Sequence, residues 1–218
     1  MKEEMNMLKQ KKGKLLITTL ITLIPMLMGI VLWERLPDPV VTHFGVNNEP
    51  DGWSPRWFAV FGIPCILAGL HVLCLIFASL DPKQKNIGKK PLGVLFWTVP
   101  SVSLVACTLT YAVSLGVDVN VGFIVTLLVG VIFIVFGNQL PRAKQNYTFG
   151  MRLPWTLEDE KNWNRTNRVA GWCMFLAGIV IVATSFWNSP WILLGAFGFE
   201  MVVPVIYSYV VYRRGSRE

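Results

Sequence analysis

The sequence predicts an all-α integral membrane protein, a bundle of six transmembrane helices with both termini in the cytoplasm. Two features of composition point to this class, since 53% of the residues are hydrophobic and only 15% are charged. The third observation is a set of long apolar runs, which lie at 15–33, 57–79, 92–115, 121–137, 169–187 and 190–212.

The apolar runs have the length and pattern of helices. A helical span needs about 20 apolar residues to cross a hydrocarbon core of about 30 Å. The runs do not alternate polar and apolar residues, as the strands of a membrane barrel would. No small-residue cleavage site follows the first run in Trp33-Glu34-Arg35-Leu36, so this run is expected to remain as an anchor.

The positive charges predict the orientation. The lysines and arginines concentrate in 1–14, 81–91, 138–168 and the C-terminal tail, and the remaining gaps hold just Arg35 and Arg56. Loops rich in Lys and Arg stay in the cytoplasm, so these four segments are predicted to lie inside. The net charge of +7 is explained by this retention and by anionic lipid, and direct nucleic-acid binding is not predicted.

The chain is expected to have three parts. They are a basic cytoplasmic N-terminus at 1–14, a three-helix part at 15–115 and a second three-helix part at 116–218. The four cysteines all lie within apolar runs, and no Cys-x-x-Cys pair suggests a redox or structural zinc site. No cofactor, metal site or enzymatic activity is predicted.

The outer loop, residues 34–56, is predicted to be a compact, ordered cap. It is rich in turn formers, and Asp51-Gly52 is a strong turn pair. The carboxylates of Asp38 and Asp51 and the imidazole of His43 are suitable metal ligands, but their spacing matches no ligand motif. The residues predicted to face a ligand outside the cell are Asp38, His43, Phe44, Asp51 and Trp53.

The inner loop, residues 138–168, is predicted to be the cytoplasmic contact surface. Thr156-Leu157-Glu158-Asp159 has the form of a capping box, so a helix is predicted to begin there and to run through Trp163 into the fifth span. The residues predicted to bind a cytoplasmic partner are Asn138, Pro141, Asn146, Tyr147, Gly150, Arg152, Pro154, Trp155, Thr156, Trp163 and Arg168.

Both long loops resemble a known family. The inner-loop runs Gly137-Asn-x-Leu-Pro, Asn146-Tyr147, Gly150-x-Arg-x-Pro-Trp-Thr-Leu, Trp163 and Thr166-x-Arg closely resemble the SdpI family of bacterial membrane proteins. The outer-loop runs Leu36-Pro-Asp, His43-Phe and Asp51-Gly-Trp resemble the domain that often precedes it. Two positions depart from the family: Asn167 replaces its usual His, and Asn48 replaces its usual Gly. Asn tolerates a left-handed backbone, so that turn is expected to survive.

The resemblance implies a function. It implies an immunity protein of the bacterial plasma membrane that protects the cell from a secreted toxic peptide. It also implies that the protein senses the peptide and then holds a small winged-helix repressor at the cytoplasmic face. The family implies no catalytic residue, and the lipid bilayer is the remaining partner.

Two ionisable residues within the spans keep other functions open. Glu200 lies near the middle of the sixth run and His71 past the middle of the second, and a carboxylate at the bilayer centre costs about 2.5–3.5 kcal/mol. Their depths differ by about 6 Å, which permits contact between neighbouring helices. The alternatives are a core hydrogen bond for His71, and a bond from Glu200 to a backbone carbonyl or to Tyr207.

Two competing functions follow from the candidate residues. One is a small transporter or ion pathway that uses Glu200 and His71, although no inverted repeat is visible. The other is a metal-dependent membrane enzyme that uses Asp38, His43 and Asp51, which lack a recognised catalytic spacing.

Overall fold

The predicted six-span helical fold is confirmed. A computed structural model describes residues 11–187 and 189–215, so Lys2, Lys9 and Arg217 of the predicted charge pattern lie outside the described residues. Within these residues, six helices are long and apolar enough to span a membrane: Lys12–Val31, Phe58–Leu80, Lys89–Ser114, Val121–Arg142, Glu160–Trp187 and Pro190–Arg214. The side of the membrane on which each terminus lies stays a prediction.

Seven α-helices and one hairpin build the described chain. The hairpin strands β1, Val40–Phe44, and β2, Pro50–Ser54, pair antiparallel. Short π or 3-10 turns occupy Phe58–Gly62, Gln84–Asn86, Leu140–Arg142 and Ser185–Trp187. The α-helices are α1 Lys12–Val31, α2 Ile63–Leu80, α3 Lys89–Ser114, α4 Val121–Gln139, α5 Pro154–Glu158, α6 Glu160–Thr184 and α7 Pro190–Gly215.

The predicted helix start at Thr156 is wrong. Thr156 lies inside the short helix α5, and the long helix α6 starts only after a break at Asp159. Asp159 has an extended backbone, with φ −122° and ψ 112°, and its carboxylate accepts a hydrogen bond from the backbone N–H of Lys161 at 2.7 Å. A carboxylate caps a long helix well because it also interacts favourably with the helix dipole.

The chain forms two compact units. The first contains 1–76 and 95–125, of which the structure describes 11 onward. Helix α3 bonds to both α1 and β1 in this unit: the Ser103 hydroxyl donates to the carbonyl of Thr22 in α1 at 2.8 Å, and the Val41 N–H in β1 donates to the Ser114 hydroxyl at 3.1 Å. The buried cluster of this unit consists of Leu36, Val40, Ala59, Val60, Cys107 and Tyr111.

The second unit contains 77–94 and 126–218, described to residue 215. Helices α4 and α6 approach closely at two glycine pairs, Gly130 with Gly178 and Gly137 with Gly171. A Cβ on Gly178 would lie 2.7 Å from the Gly130 carbonyl oxygen, and a Cβ on Gly171 would lie 2.7 Å from the Gly137 carbonyl oxygen. Its buried cluster consists of Phe133, Ala177, Ile181 and Ala196. The predicted sequence domains at 15–115 and 116–218 stay a prediction.

Candidate functional site

The outer loop folds as a β-hairpin, and its turn is not where the sequence predicts it. Asp51 and Gly52 lie within β2, so the turn predicted there is wrong. The chain reverses instead between Gly45 and Glu49, where the Gly45 N–H donates to the Glu49 carbonyl at 2.9 Å. Asn48 has φ 64°, which confirms that this position needs a residue tolerant of the left-handed region.

Asn48 also anchors the turn. Its side-chain oxygen accepts a hydrogen bond from the backbone N–H of Gly122 at 2.6 Å, in the first turn of α4. The first turn of a helix has N–H groups without intrahelical partners, and a side-chain oxygen from elsewhere satisfies one of them. Asn48 therefore does two jobs, since it makes the turn and fixes it to a helix end.

Two of the predicted ligand-facing residues pair across the hairpin. His43 Nδ1 lies 2.5 Å from Asp51 Oδ1, with side chains 73% and 51% exposed. Trp53 is 55% exposed, and Phe44 is half-buried. The exposed face of the hairpin thus combines an acid, an imidazole and an indole.

Asp38 has a separate role at the base of the hairpin. Its carboxylate accepts the Arg56 backbone N–H at 3.1 Å, and the Arg56 guanidinium lies 5.4 Å from the centre of the Trp33 ring. Among the described residues, no group of three or more His, Cys, Asp or Glu side chains is placed to hold a metal ion.

A cavity of about 370 Å³ lies at the C-terminal end of α1. Its walls are aliphatic and aromatic, with a single carboxylate at Glu34. The lining residues are Ile30, Val31, Trp33, Glu34 and Phe61. A site of this composition suits a ligand that has both an apolar part and a positive charge.

The inner loop is organised around a buried asparagine. Asn146 is fully buried, and its side-chain oxygen accepts the N–H groups of Thr148 and Phe149 at 2.8 and 2.7 Å. Its amide donates to the carbonyls of Lys144 and Phe149 at 2.7 and 3.0 Å. Every hydrogen-bonding position of this amide is directed at the loop backbone, so Asn146 fixes the shape of the loop.

Asp81 connects the inner loop to the end of α2. Its carboxylate is 4% exposed and accepts hydrogen bonds from the Tyr147 N–H at 2.8 Å and the Thr148 hydroxyl at 2.7 Å. The other carboxylate oxygen accepts the Lys83 N–H at 2.8 Å. The sequence reasoning did not single out Asp81, although an acid directly after an apolar run and before Pro82 was a usable signal.

Gln145 extends this connection. Its side-chain oxygen accepts from Lys83 Nζ at 2.5 Å, and its amide donates to the carbonyls of Thr156 and Leu157 at 3.0 and 2.8 Å. The Gln145 carbonyl also accepts from the Asn86 amide at 2.7 Å. This glutamine, which the sequence reasoning also missed, bonds to the 81–91 segment and to α5.

Gly150 lies against Trp163 and Asn167. The glycine has φ 131°, and a Cβ there would lie 2.6 Å from Asn167 Oδ1 and 2.7 Å from the Trp163 ring. Trp163 is fully buried and donates its indole N–H to the Ala143 carbonyl at 2.9 Å. Asn167, where the resemblance to the family leads us to expect a His, accepts the Met151 N–H at 2.8 Å. Asn167 therefore has a structural role here.

Thr156 and Trp155 are also part of the loop framework. The Thr156 hydroxyl oxygen accepts the Leu153 N–H at 2.9 Å. The Trp155 indole donates to the Ser208 hydroxyl at 3.0 Å and stacks on Tyr212 at 5.9 Å between ring centres. Through Trp155, the inner loop is fixed to α7.

The remaining predicted partner-binding residues are exposed and fall into two groups. Tyr147, Arg152 and Pro154 are exposed around the loop tip, where the Arg152 guanidinium donates to the Tyr147 carbonyl at 2.6 Å. We call these three residues the loop-tip surface. Asn138, Pro141 and Arg168 line a groove between α4 and α6, whose described lining includes neither Tyr147 nor Arg152.

The two intramembrane groups differ in their surroundings. His71 is fully buried, and its Nε2 lies 2.8 Å from the Thr18 hydroxyl, which itself lies 2.9 Å from the Lys14 carbonyl. Because the Thr18 hydroxyl donates its proton to the Lys14 carbonyl, its oxygen accepts from His71. In that arrangement Nε2 of the imidazole carries the proton and Nδ1 is the unprotonated, accepting nitrogen. Nδ1 has no hydrogen-bond partner among the described residues.

Glu200 is 8% exposed, in α7. No described residue makes a hydrogen bond to it, so the alternative of a bond to Tyr207 or a backbone carbonyl is not observed. His71 and Glu200 lie in different compact units, and their pairing stays a prediction.

Comparison with known proteins confirms the predicted resemblance. The SdpI/YfhL protein family matches residues 142–208, and a domain of unknown function, DUF1648, matches residues 20–68. The immunity protein SdpI of Bacillus subtilis (strain 168) is 29% identical over 212 residues, which cover 94% of this chain and 99% of that relative. No solved structure matches the chain.

Proposed function

Because the chain resembles the SdpI family through most of its length, we propose that it is an immunity protein of the bacterial plasma membrane. It would protect the cell that carries it from a secreted toxic peptide. The observation that carries this proposal is the similarity to an immunity protein, which extends through both the outer and the inner loop.

The outer loop and the adjoining helix ends are the proposed toxin-facing surface. In the orientation that the charges predict, this side meets a secreted peptide first. Its acids Glu34, Asp38, Glu49 and Asp51 outnumber Arg35 and Arg56, so electrostatic attraction favours a cationic peptide. The apolar cavity beside Glu34 would take an apolar side chain of that peptide.

The resistance proposal is tested by survival. The chain is expressed in a toxin-sensitive bacterium, and growth is measured against increasing concentrations of the peptide. We expect survival at concentrations that kill cells with an empty vector. Equal killing of both strains, with the protein present in the membrane fraction, would refute the proposal.

The finer proposal is that the protein senses the peptide and holds a small winged-helix repressor at its inner face. The loop-tip surface supports this role, because its exposed side chains project from a segment fixed by Asn146 and Asp81. A preformed surface binds a partner at a smaller ordering cost than a flexible one. The chain would contact DNA only through that repressor.

Arg152→Ala tests the loop-tip surface. Arg152 is exposed, so its removal should abolish membrane recruitment of the repressor while protein abundance stays normal. Arg165→Ala is the matched control, since Arg165 is also exposed on the same loop. Normal recruitment by the Arg152 variant would place the contact elsewhere.

A second candidate function is a small ion or proton pathway. The observation that favours it is the presence of two buried ionisable groups with unsatisfied positions among the described residues, Nδ1 of His71 and the Glu200 carboxylate. Such groups in membrane spans frequently mark ion or proton routes. Glu200→Gln preserves shape and removes the charge, so it should express normally and lose function. Wild-type resistance and unchanged proton flux in both Glu200→Gln and Glu200→Leu would exclude this role.

A further inference from the structure

A groove of about 320 Å³ lies between the C-terminal end of α4 and the first half of α6. Its floor is a place where the two helix backbones touch. A Cβ on Gly137 would lie 2.5 Å from the Phe175 N, and one on Gly171 would lie 2.7 Å from Pro141 Cδ. Because neither glycine has a side chain, the two helices pack backbone to backbone beneath the groove.

The mouth of the groove is positively charged. Arg142 and Arg168 line it together with Asn138. The Arg142 guanidinium is oriented by one hydrogen bond, to the Gln139 side-chain oxygen at 3.1 Å. Arg168 is exposed and makes no hydrogen bond or ion pair with any described residue. Two guanidinium groups without a carboxylate partner are suited to a phosphate, which they bind through charge-assisted hydrogen bonds.

The other end of the groove is apolar. Phe175 and Trp172 form its wall, and Trp172 is 60% exposed. Along α6, Arg168 is the last charged residue before the apolar run, so the groove crosses from headgroup depth to hydrocarbon depth. An exposed tryptophan at this depth is typical of the membrane interface.

We propose that this groove binds an anionic phospholipid. The phosphodiester would lie between Arg142 and Arg168, with the proximal part of an acyl chain against Trp172 and Phe175. The charge of the mouth and the apolar wall together match a lipid, whereas free phosphate would use only the arginines. Basic pockets between transmembrane helices on the cytoplasmic side are known to take anionic headgroups. Lipid binding in this groove would be independent of toxin resistance.

The test is lipid retention by native mass spectrometry. The purified full-length protein is incubated in detergent micelles with equal amounts of phosphatidylglycerol and phosphatidylcholine, and the bound lipids are counted after detergent release. We expect a preference for phosphatidylglycerol in the wild type. The R142Q/R168Q double variant should lower phosphatidylglycerol retention at least about tenfold, which corresponds to the loss of one hydrogen bond to a charged group.

Two controls make the result specific. R213Q/R214Q removes two exposed charges from the end of α7 and should leave retention unchanged. The single variant R168Q, at a residue without a described partner, should fold normally and lower retention by itself. An excess of inorganic phosphate should not displace the lipid.

Three outcomes would overturn the inference. The first is equal retention of both lipids by the wild type. The second is unchanged phosphatidylglycerol retention in both R168Q and R142Q/R168Q. The third is full displacement of the lipid by inorganic phosphate, which would show that the groove holds a phosphate without an acyl chain.

Discussion

The hairpin and the inner loop use their polar side chains in opposite ways. In the hairpin, His43 and Asp51 pair on the surface, with side chains 73% and 51% exposed. In the inner loop, Asn146 and Asp81 are buried and bond to backbone groups. The long motif of the inner loop therefore consists largely of residues that hold the loop in shape. The shorter motif of the hairpin leaves its charged and aromatic side chains accessible to a ligand.

Among changes to the buried hydrogen bonds of the inner loop, Asn146→Ala should lower the stability of the protein most. The change leaves the Thr148 and Phe149 N–H groups buried without their acceptor, and each buried unsatisfied group costs about 1–3 kcal/mol. We expect a loss of about 2–6 kcal/mol in the free energy of unfolding in detergent micelles. Asn138→Ala, at an exposed asparagine, is the control and should change little. Equal stability of both variants would mean that the loop is not held by Asn146.

Gly150→Ala should have an intermediate effect. The alanine Cβ would lie 2.6 Å from Asn167 Oδ1 in a backbone conformation with φ 131°, and such strain costs about 1–3 kcal/mol. A lower thermal midpoint of the purified protein is the readout. The control is Gly195→Ala, because nothing lies within 4 Å of a Cβ at that glycine. A midpoint lowered as much by the control would show that the fold tolerates no added methyl group.

Asp51→Asn should leave stability nearly unchanged and affect resistance. The pair with His43 is exposed, and exposed ion pairs contribute little to folding. If the hairpin attracts a cationic peptide, loss of this charge should lower survival in the toxin, and the effect of the charge should weaken as salt rises. Glu158→Gln makes the same charge change at an exposed position within the inner loop. Loss of resistance in the Glu158 variant alone would reverse the proposed assignment of the two regions.

The smallest perturbation tests whether the two regions lie on opposite sides of the membrane. Val46 is 77% exposed at the hairpin turn, and Glu158 is exposed at the end of α5. In a background without the exposed Cys65 and Cys74, Val46→Cys should react with an impermeant maleimide in intact cells. Glu158→Cys should react only after lysis. Labelling of Glu158→Cys in intact cells would contradict the orientation that the charges predict.

The sequence predicted the spans well because apolar length is a local property. The first run, 15–33, and helix α1, Lys12–Val31, differ by only a few residues at each end. The left-handed conformation of Asn48 was also predictable, since few other side chains tolerate it. Each of these features depends on the residue and its immediate neighbours.

The inner-loop framework was less predictable because its partners are distant in sequence. Trp163 and Asn146 were predicted to bind a partner, yet both are buried by contacts within the unit. The helix start was misplaced because Thr156 and Asp159 both have capping chemistry, and the charged residue caps the longer helix. Asp51-Gly52 commonly forms a turn, but here hydrogen bonding to β1 holds both residues in a strand.

The bonds of Asp81 impose an order on biosynthesis. Tyr147 and Thr148 follow Asp81 by 66 and 67 residues, and α3 and α4 lie between them in the chain. A ribosome therefore delivers the carboxylate before its partners exist, and both intervening helices must enter the membrane before the inner loop can close on it. Translation that stops within α4 would leave Asp81 in water, so this carboxylate reports whether the fourth helix and the loop after it have been completed.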